Sequence, residues 1–376
     1  MAIPSDAAVA TENDAVHMRR ALALARLGWG QTAPNPMVGA VVVSDGQVVG
    51  EGFHAHYGAA HAEIMALKRA GILAQGATVY VSLEPCAHYG KTPPCADALI
   101  AAQVKRVVVA APDPSRPARG GGERLRRAGI DVDVGVEQAA ALELNAPFFN
   151  AIASPRPWVT LKLAVSADGG VADPAGARRW ITGEESRVEV HRQRAGNDAV
   201  GVGIGTVLAD DPLLTVREVP QPRIAPKRVV FDSALRTPRT SAVIRTTREV
   251  ETILVARPSA PVDRLALAEE AGASVLLAPT LDESLVALRK RGVQALYVEG
   301  GPRLAGAFLR EGRVDRLIIF RSPVELGSDA PKAFAFAPDG FEASLGDGQH
   351  RVVEQRRFGD DVMTVYALRE VPCSPG

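Results

Sequence analysis

The sequence predicts an α/β protein built from two domains. Segments whose apolar residues recur at helical spacing alternate along the chain with short runs rich in valine, isoleucine and leucine. At 376 residues the chain is longer than one core usually serves. The stretch "ASPRPW", residues 153–158, sets two prolines and small residues between a helical segment and a strong strand, which is the composition of a linker. The expected domains are 12–152 and 157–371.

The elements follow in order. "TENDAVHMRRALALARLG" is a helix, with Thr11 and Asp14 as its capping box and Gly28 as its stop. "MVGAVVVSDGQVVGEGF" is two apolar runs around Asp45-Gly46, a hairpin signal. A helix over 60–70 ends at Gly71. "ATVYVSLE" is a strand, 95–102 a helix, "KRVVVAA" a strand, 121–128 a helix and "IDVDVGV" a strand. Gly120–Gly122 reads as a loop. This order suggests a sheet covered by helices on both faces. In the second half, strands are expected at "WVTLKLAVS", "DAVGVGI", "RVVFDS", "ETILVA", "SVLLA", "ALYVEG", "RLIIFRS" and "VMTVYALRE". Helices are expected at 183–195, 262–271, 282–291 and 302–311.

Composition narrows the function. Hydrophobic content of 47 % and charged content of 23 % are ordinary for a globular enzyme. A net charge of zero gives no global field favouring nucleic acid or an anionic membrane. Three cysteines, Cys86, Cys95 and Cys373, make a disulfide framework unlike this chain and suit a reducing compartment. No apolar run is long enough to span a bilayer. The N-terminal stretch lacks the basic residue and apolar core of a signal peptide. The expected location is cytoplasmic.

The strongest chemical signal is "HAEIMAL", residues 61–67, followed by "EPCAHYGKTPPC", residues 84–95. Zinc takes histidine nitrogen and cysteine thiolate, and a catalytic site keeps one position open for water. His61, Cys86 and Cys95 offer three ligands. His61 and Glu63 converge only if His61 sits at the mouth of a helix. Cys95, after Pro93-Pro94, also reads as a helix start, where the dipole favours thiolate. Zinc lowers the pKa of its water, and Glu63 is then free to shuttle protons. The general zinc-deaminase pattern is H-x-E…P-C-x-x-C. "HAE" and "PC" match it, but eight residues separate Cys86 from Cys95. His54 and His56 are read as ordinary strand-exit residues, and His17, His191 and His350 are given no role.

With "TAPNPMVGAVVV", "ATVYVSLEPCAHYGKTPPCADALI" and "VVVAAPDP", these motifs resemble the deaminase half of the bifunctional riboflavin-biosynthesis deaminase/reductase family, over residues 12–150. The resemblance implies a cytidine-deaminase-like α/β/α fold, zinc on His61, Cys86 and Cys95, and Glu63 as proton donor. It implies that Asn35, His88 and Lys91 meet the substrate.

In the second half, "GVGIGTVLADDPLLTVR" has Gly201, Gly203 and Gly205 at alternate positions, which is not a dinucleotide fingerprint. "YVEGGPRLAGAFL" carries two glycines and a proline between a strand and a helix, where backbone N–H groups can cradle phosphate. With "LKLAVSADG", "RRWITG" and "VVFDSALRTP", these resemble the reductase half of the same family, a dihydrofolate-reductase-like α/β fold. That resemblance implies NADPH against Ala164, Trp180, Thr206, Asp210, Ser233 and the turn Gly301, Pro302, Arg303, Leu304, Ala305, Gly306 and Ala307. It implies substrate against Arg178, Arg194, Leu214, Arg217 and Glu299. Arg178 departs from the family, where many members have serine two before the tryptophan. Arg194 and Arg217 suit a sugar phosphate, which needs cations with fork geometry.

The implied function is deamination of 2,5-diamino-6-ribosylamino-4(3H)-pyrimidinone 5′-phosphate, with zinc-bound hydroxide attacking the amine-bearing carbon. NADPH-dependent reduction of the ribosyl group to ribityl follows. The implied partner is this small phosphorylated pyrimidine, with neither nucleic acid nor membrane, in a homo-oligomer (dimer or tetramer). A nucleic-acid deaminase would predict C-x-x-C spacing and a basic surface. A structural zinc module would predict four protein ligands. Neither pattern is seen.

Overall fold

A computed structural model of the chain describes residues 11–89, 93–116, 118–174, 176 and 180–373. They form two compact units, the first comprising the residues up to Ala153 together with those from Val371 and the second running from Ser154 to Glu370.

The first unit contains α1 (Glu12–Ala25), β1 (Gly39–Ser44), β2 (Gln47–Phe53), α2 (Ala62–Ala70), β3 (Thr78–Leu83), α3 (Cys95–Ala101), β4 (Arg106–Ala111), α4 (Gly121–Arg127), β5 (Asp131–Val134), α5 (Gln138–Leu144) and α6 (Ala146–Ala153). The sheet order is β2-β1-β3-β4-β5, with β1 antiparallel to β2 and β3, and the rest parallel. Alternation along each strand divides the core. Ala40, Val42, Val79, Val81, Val107 and Val109 pack against α2, α3 and α4. Val41, Val43, Tyr80, Val108 and Ala110 pack against α1, α5 and α6. The expected α1 capping box forms: Thr11 Oγ1 accepts from Asp14 N–H, and Asp14 accepts from Thr11 N–H. The Asp45-Gly46 turn has positive φ at both residues, as its hairpin requires. Helices α5 and α6, which cover one end of the second face, were not resolved into separate elements by sequence pattern.

Asp14 also ties the sheet to α1. It is 1 % exposed and accepts from Tyr80 Oη at 2.8 Å and from Arg106 Nη1 at 2.8 Å. Burial works to raise its carboxyl, but the Arg106, Thr11 and Tyr80 hydrogen bonds outweigh it and hold the group well below the usual carboxylate range. A depressed native pKa contributes stability above the unfolded value of about 4, and that contribution is lost as pH falls toward the native value. The stability gap between wild type and Asp14→Asn is therefore expected to be full at pH 7 and to shrink below pH ~4. Urea unfolding of both proteins across that range measures it; a gap independent of pH would contradict the assignment.

The second unit contains β6 (Trp158–Val165), α7 (Glu184–Ala195), β7 (Ala199–Gly203), α8 (Ile204–Asp210), β8 (Lys227–Phe231), α9 (Ala242–Arg245), β9 (Thr252–Ala256), α10 (Val262–Glu270), β10 (Ser274–Leu277), α11 (Leu281–Lys290), β11 (Ala295–Val298), α12 (Pro302–Arg310), β12 (Arg316–Arg321), α13 (Phe341–Gly346), β13 (Arg351–Phe358) and β14 (Asp361–Ala367). The order is β10-β9-β8-β7-β11-β6-β12-β14-β13. Strands β6 to β12 run parallel, β14 runs antiparallel to β12, and β13 runs antiparallel to β14. Every parallel strand thus ends at the same edge, where ligands of open α/β sheets bind. The sequence pattern missed β13 because its outward side chains are exposed and polar, as suits an edge strand.

Candidate functional sites

In the first unit, small residues bring α2 directly onto the hairpin. Ala62, Ala66 and Ala70 recur every fourth residue and lie over Gly50 and Gly52, where any Cβ would collide with the carbonyls of Ala66 and Ala62. This contact sets the start of α2, and so His61, which caps the helix with extended backbone. Glu63 falls in the first turn and is 3 % exposed. Cys86 follows β3, and Cys95 opens α3 directly after Pro94. The expected helix mouths at His61 and Cys95 are both present.

The three ligands converge. His61 Nδ1 lies 3.1 Å from Cys95 Sγ and 3.7 Å from Cys86 Sγ. Cys95 N–H donates to Cys86 Sγ at 3.3 Å. All three donor atoms lie within 4.8 Å of one another, and Glu63 stands outside the set. One borderline nitrogen and two sulfurs at this spacing fit zinc, whose bonds to such atoms are about 2.0–2.3 Å. Hydrogen bonds from Cys95 and His61 pull the Cys86 thiol down, while the same contact with Cys86 and burial push Cys95 up, so Cys86 is the thiolate of the pair before a metal binds. The Cys86 hydrogen bond raises His61, and burial raises Glu63.

Glu63 and His61 line a cavity of about 390 Å³ shared with Asn35, His54, Glu84, His88, Asp113, Ser115 and Phe148. The expected Asn35 and His88 are thus on the wall, while Lys91 lies outside the described residues. His54, read as ordinary from sequence, is also there. It is 3 % exposed, its ring 5.6 Å from that of His61 and its Nε2 3.4 Å from Asn35 Nδ2. Glu84 accepts from Gly120 and Gly122 N–H and from Asp113 N–H, pinning the loop that carries Asp113. Burial pushes the Asp113 carboxyl up to about 6. The alternation in "GFHAHYG" was a signal for His54; nothing local marked Asp113.

Because α2 rests on Gly52, Gly52→Ala is expected to destabilise the first unit by about 1–3 kcal/mol through overpacking. It should also weaken zinc retention by shifting His61. Thermal unfolding and competition with a chelator measure the two effects; wild-type values in both would show that the contact yields.

In the second unit, Glu299 follows β11, and Arg194 reaches it from α7. Arg194 Nε and Nη2 meet the two carboxylate oxygens at 2.5 and 2.9 Å, and Nη1 donates to Thr215 O at 2.9 Å. The fork of Arg194 is therefore engaged by Glu299 and Thr215. Arg217 remains exposed, touching Thr215 Oγ1 at 2.9 Å, and its N–H donates to His191 Nδ1. Burial raises the Glu299 carboxyl, but Arg194 outweighs it, and the net shift is downward. Lys162, beside Glu299 in the sheet register, is driven down by burial against the pull of that carboxylate. Leu214 is 2 % exposed, in left-handed conformation.

Ala164, Thr206, Ser233 and Gly301 all lie at the carboxyl edge of the sheet, at or just past β6, β7, β8 and β11. A Cβ on Gly301 would sit 3.9 Å from Thr206 Oγ1, so these two are neighbours. Pro302, Arg303, Leu304 and Ala307 remain at least partly accessible, whereas Ala305 is fully buried and Gly306 packs its backbone on Phe336. Asp210 is exposed at the end of α8, and Trp180, 55 % exposed, lies under the Arg187 guanidinium. Arg178 lies outside the described residues. No described helix is long and apolar enough to cross a membrane.

Residues 11–111 match the family described as the cytidine and deoxycytidylate deaminase zinc-binding region, and residues 157–363 match the RibD C-terminal domain. The chain is 45 % identical over 319 residues to the riboflavin biosynthesis protein RibD of Aquifex aeolicus (strain VF5), covering 84 % of this chain and 88 % of that one. It is 40 % identical to RibD of Escherichia coli (strain K12), covering 93 % and 98 %. Among solved structures, Acinetobacter baumannii RibD (form 1) aligns with a TM-score of 0.79 at 38 % identity, over 95 % of this chain and 99 % of that one. A Thermotoga maritima diaminohydroxyphosphoribosylaminopyrimidine deaminase/5-amino-6-(5-phosphoribosylamino)uracil reductase aligns with a TM-score of 0.80 at 32 % identity, over 94 % and 98 %.

Proposed function

The chain belongs to the RibD family, the bifunctional deaminase/reductases of riboflavin biosynthesis, and from that membership we propose how its residues divide the two reactions. It pairs a zinc-dependent deaminase domain of cytidine-deaminase type with an NADPH-dependent reductase domain of dihydrofolate-reductase type. We assign deamination to residues 12–152 and reduction to 157–371. The substrate is the diaminopyrimidinone ribosyl phosphate, and the second step converts its ribosyl group to ribityl.

The observation that carries the deaminase assignment is the His61, Cys86 and Cys95 set with Glu63 outside it, facing the cavity. Zinc held by His61, Cys86 and Cys95 would supply Lewis acidity that lowers the pKa of the attacking water. Glu63 would take a proton from water and deliver it to the ring nitrogen and then to the leaving amine. Asn35 and His88 hold the pyrimidine and its ribosyl phosphate from the cavity wall, with Lys91 as a further contact. Glu63, 3 % exposed, sits at the buried end of the cavity, whereas His88 is on its exposed rim.

In the reductase domain, NADPH held at the carboxyl edge of the sheet would supply a hydride for reduction of the ribosyl carbon C1′. Ala164, Trp180, Thr206, Asp210, Ser233 and the Gly301–Ala307 turn hold the cofactor, the accessible start of α12 serving its phosphates. Arg217 takes the substrate phosphate with Leu214 as a neighbouring contact, and Arg178 is kept as a substrate contact on the resemblance alone. Arg194 keeps Glu299 ionised and oriented toward the sugar. Lys162, whose ammonium feels the Glu299 carboxylate, and Asp210 are the groups we offer as proton donor in this step. Binding geometry supplies most of the rate in this step.

We take the assembly to be a homo-oligomer, a dimer or tetramer, located in the cytoplasm where thiolate ligands stay reduced. Sedimentation measures the first point. The assay that tests the whole reading supplies the diaminopyrimidinone ribosyl phosphate with and without NADPH, and follows ammonia and NADPH. Ammonia is expected without NADPH, and NADPH consumption is expected to match the deaminated product. The absence of both signals from zinc-replete protein would overturn the substrate assignment.

A further inference from the structure

Lys162 and Ala164 lie two residues apart on β6, so they share one face of the sheet and stand about 7 Å apart. Glu299 follows β11, the neighbouring strand. With Ala164 against the cofactor and Glu299 against the sugar, the part of the cofactor nearest Ala164 is the end that gives the hydride. The loop just past β6 borders that end.

A distant segment straps this loop down. Residues 322–336, between β12 and α13, run beside it. Ser322 N–H donates to Val165 O at 2.9 Å, and Ala167 N–H donates to Val324 O at 2.8 Å. Val171 N–H donates to Pro331 O, and Ala333 N–H to Gly169 O, both at 2.9 Å. Asp168 supplies the side-chain clamp. It accepts from Leu326 N–H at 3.1 Å, from Gly327 N–H at 2.8 Å and from Ser166 Oγ at 2.5 Å. Lys332 Nζ donates to Asp168 O at 2.8 Å. The Ser166 hydroxyl first, then the Leu326 and Gly327 N–H groups, hold the Asp168 carboxyl down at about 2, so the clamp is ionised throughout the neutral range. Gly170 lets the strap close in: a Cβ there would lie 2.9 Å from Ala330 Cβ and 3.1 Å from Leu326 Cδ1.

The far end of the strap reaches α12. Phe336 O lies against Gly306, where any Cβ would collide with it, and Arg310 Nη1 donates to the same carbonyl. The Arg303 guanidinium lies 6.0 Å from the centre of the Phe336 ring. One segment thus touches both the loop past β6 and the helix whose start serves the cofactor phosphates. What fixes the strap also fixes the spacing of these two walls.

We propose that Asp168 is a positioning residue of the reduction: by pinning Leu326 and Gly327 of the strap to the loop past β6, it sets the reach between the hydride-giving end of the cofactor and the sugar carbon. The proposal rests on the reading that Ala164 and α12 hold the cofactor. Asp168 acts through the backbone it holds, not by touching the reactants. Group transfer is sensitive to such placement, since a displacement of about 1 Å can cost about 10²-fold in rate. The four backbone hydrogen bonds of the strap do not involve the Asp168 side chain, so the strap survives its removal with only the 326–327 turn released.

The test compares the zinc-loaded full chain as wild type, Asp168→Ala and Asp168→Asn. Amide hydrogen exchange reads the strap, and calorimetric titration reads NADPH affinity. Reduction of supplied deaminated substrate is followed with NADPH and with NADPH deuterated at the transferred position. Asp168→Ala is expected to speed exchange in 166–171 and 324–328 alone. It should lower kcat of reduction by about 10–100-fold and raise the deuterium isotope effect, as hydride transfer becomes limiting. NADPH affinity should fall by no more than about threefold. Asp168→Asn keeps one carbonyl acceptor and should lie between the two. Deamination and the unfolding temperature should stay near wild type. Wild-type kcat and isotope effect in Asp168→Ala would overturn the proposal and leave the cofactor site standing. A loss of kcat matched by an equal loss of NADPH affinity, or by faster exchange across the whole unit, would make Asp168 structural and overturn it too. Wild type that neither binds NADPH nor reduces the substrate would defeat the reductase reading itself, and the proposal with it.

Discussion

Glu63→Gln is expected to lower the turnover of deamination by about 10²–10⁴-fold, the range for a lost general acid/base. Zinc content should stay at the wild-type level, because the ligand set is His61, Cys86 and Cys95 and excludes Glu63. Glutamine matches the volume of glutamate, so the 3 %-exposed site keeps its packing. The substitution removes proton transfer and leaves the metal cradle. Reduction, carried by the second unit, should continue when deaminated substrate is supplied. Metal analysis, ammonia release and NADPH oxidation on one preparation separate these effects. Full ammonia turnover would remove Glu63 from the mechanism. Loss of zinc would show that the carboxylate supports the site rather than acts in it.

Glu299→Ala is expected to have the opposite pattern: no reduction, with deamination intact. It also strips the partner from Arg194, whose side chain is 11 % exposed. Breaking a buried ion pair by removing one member typically costs about 3–5 kcal/mol, because the other charge stays buried without compensation. Lys162 loses its neighbouring carboxylate as well, adding a second uncompensated cation. Glu299→Gln should recover much of the stability through hydrogen bonds to Arg194 and little of the activity. Thermal unfolding and NADPH oxidation on both variants check this. A stable, active Glu299→Ala protein would mean that the pair is neither structural nor catalytic.

The metal site was legible in the sequence because zinc demands particular residue types at helix starts, and His61, Cys86 and Cys95 meet that demand through local features. Pro94 before Cys95 and the extended residue at His61 needed no distant contact to be anticipated. The strands of both units were legible for a similar reason, since a buried parallel strand needs an unbroken apolar run. Strand β13 was not, because an edge strand with polar faces carries no such signature.

The sequence by itself determined two α/β domains and the gathering of His61, Cys86 and Cys95 with Glu63 nearby, because each depends on local periodicity or on residue type. Tertiary structure alone decided what shares a cavity or an ion pair. His54 and Asp113 meet the metal site from loops 59 residues apart in number, 113 less 54, brought together by strand order. Arg194 spends its fork on Glu299, 105 residues away, because α7 lies over the end of β11. No spacing rule encodes such pairings: they follow from which strands neighbour one another, and that is settled by the burial of the whole sheet.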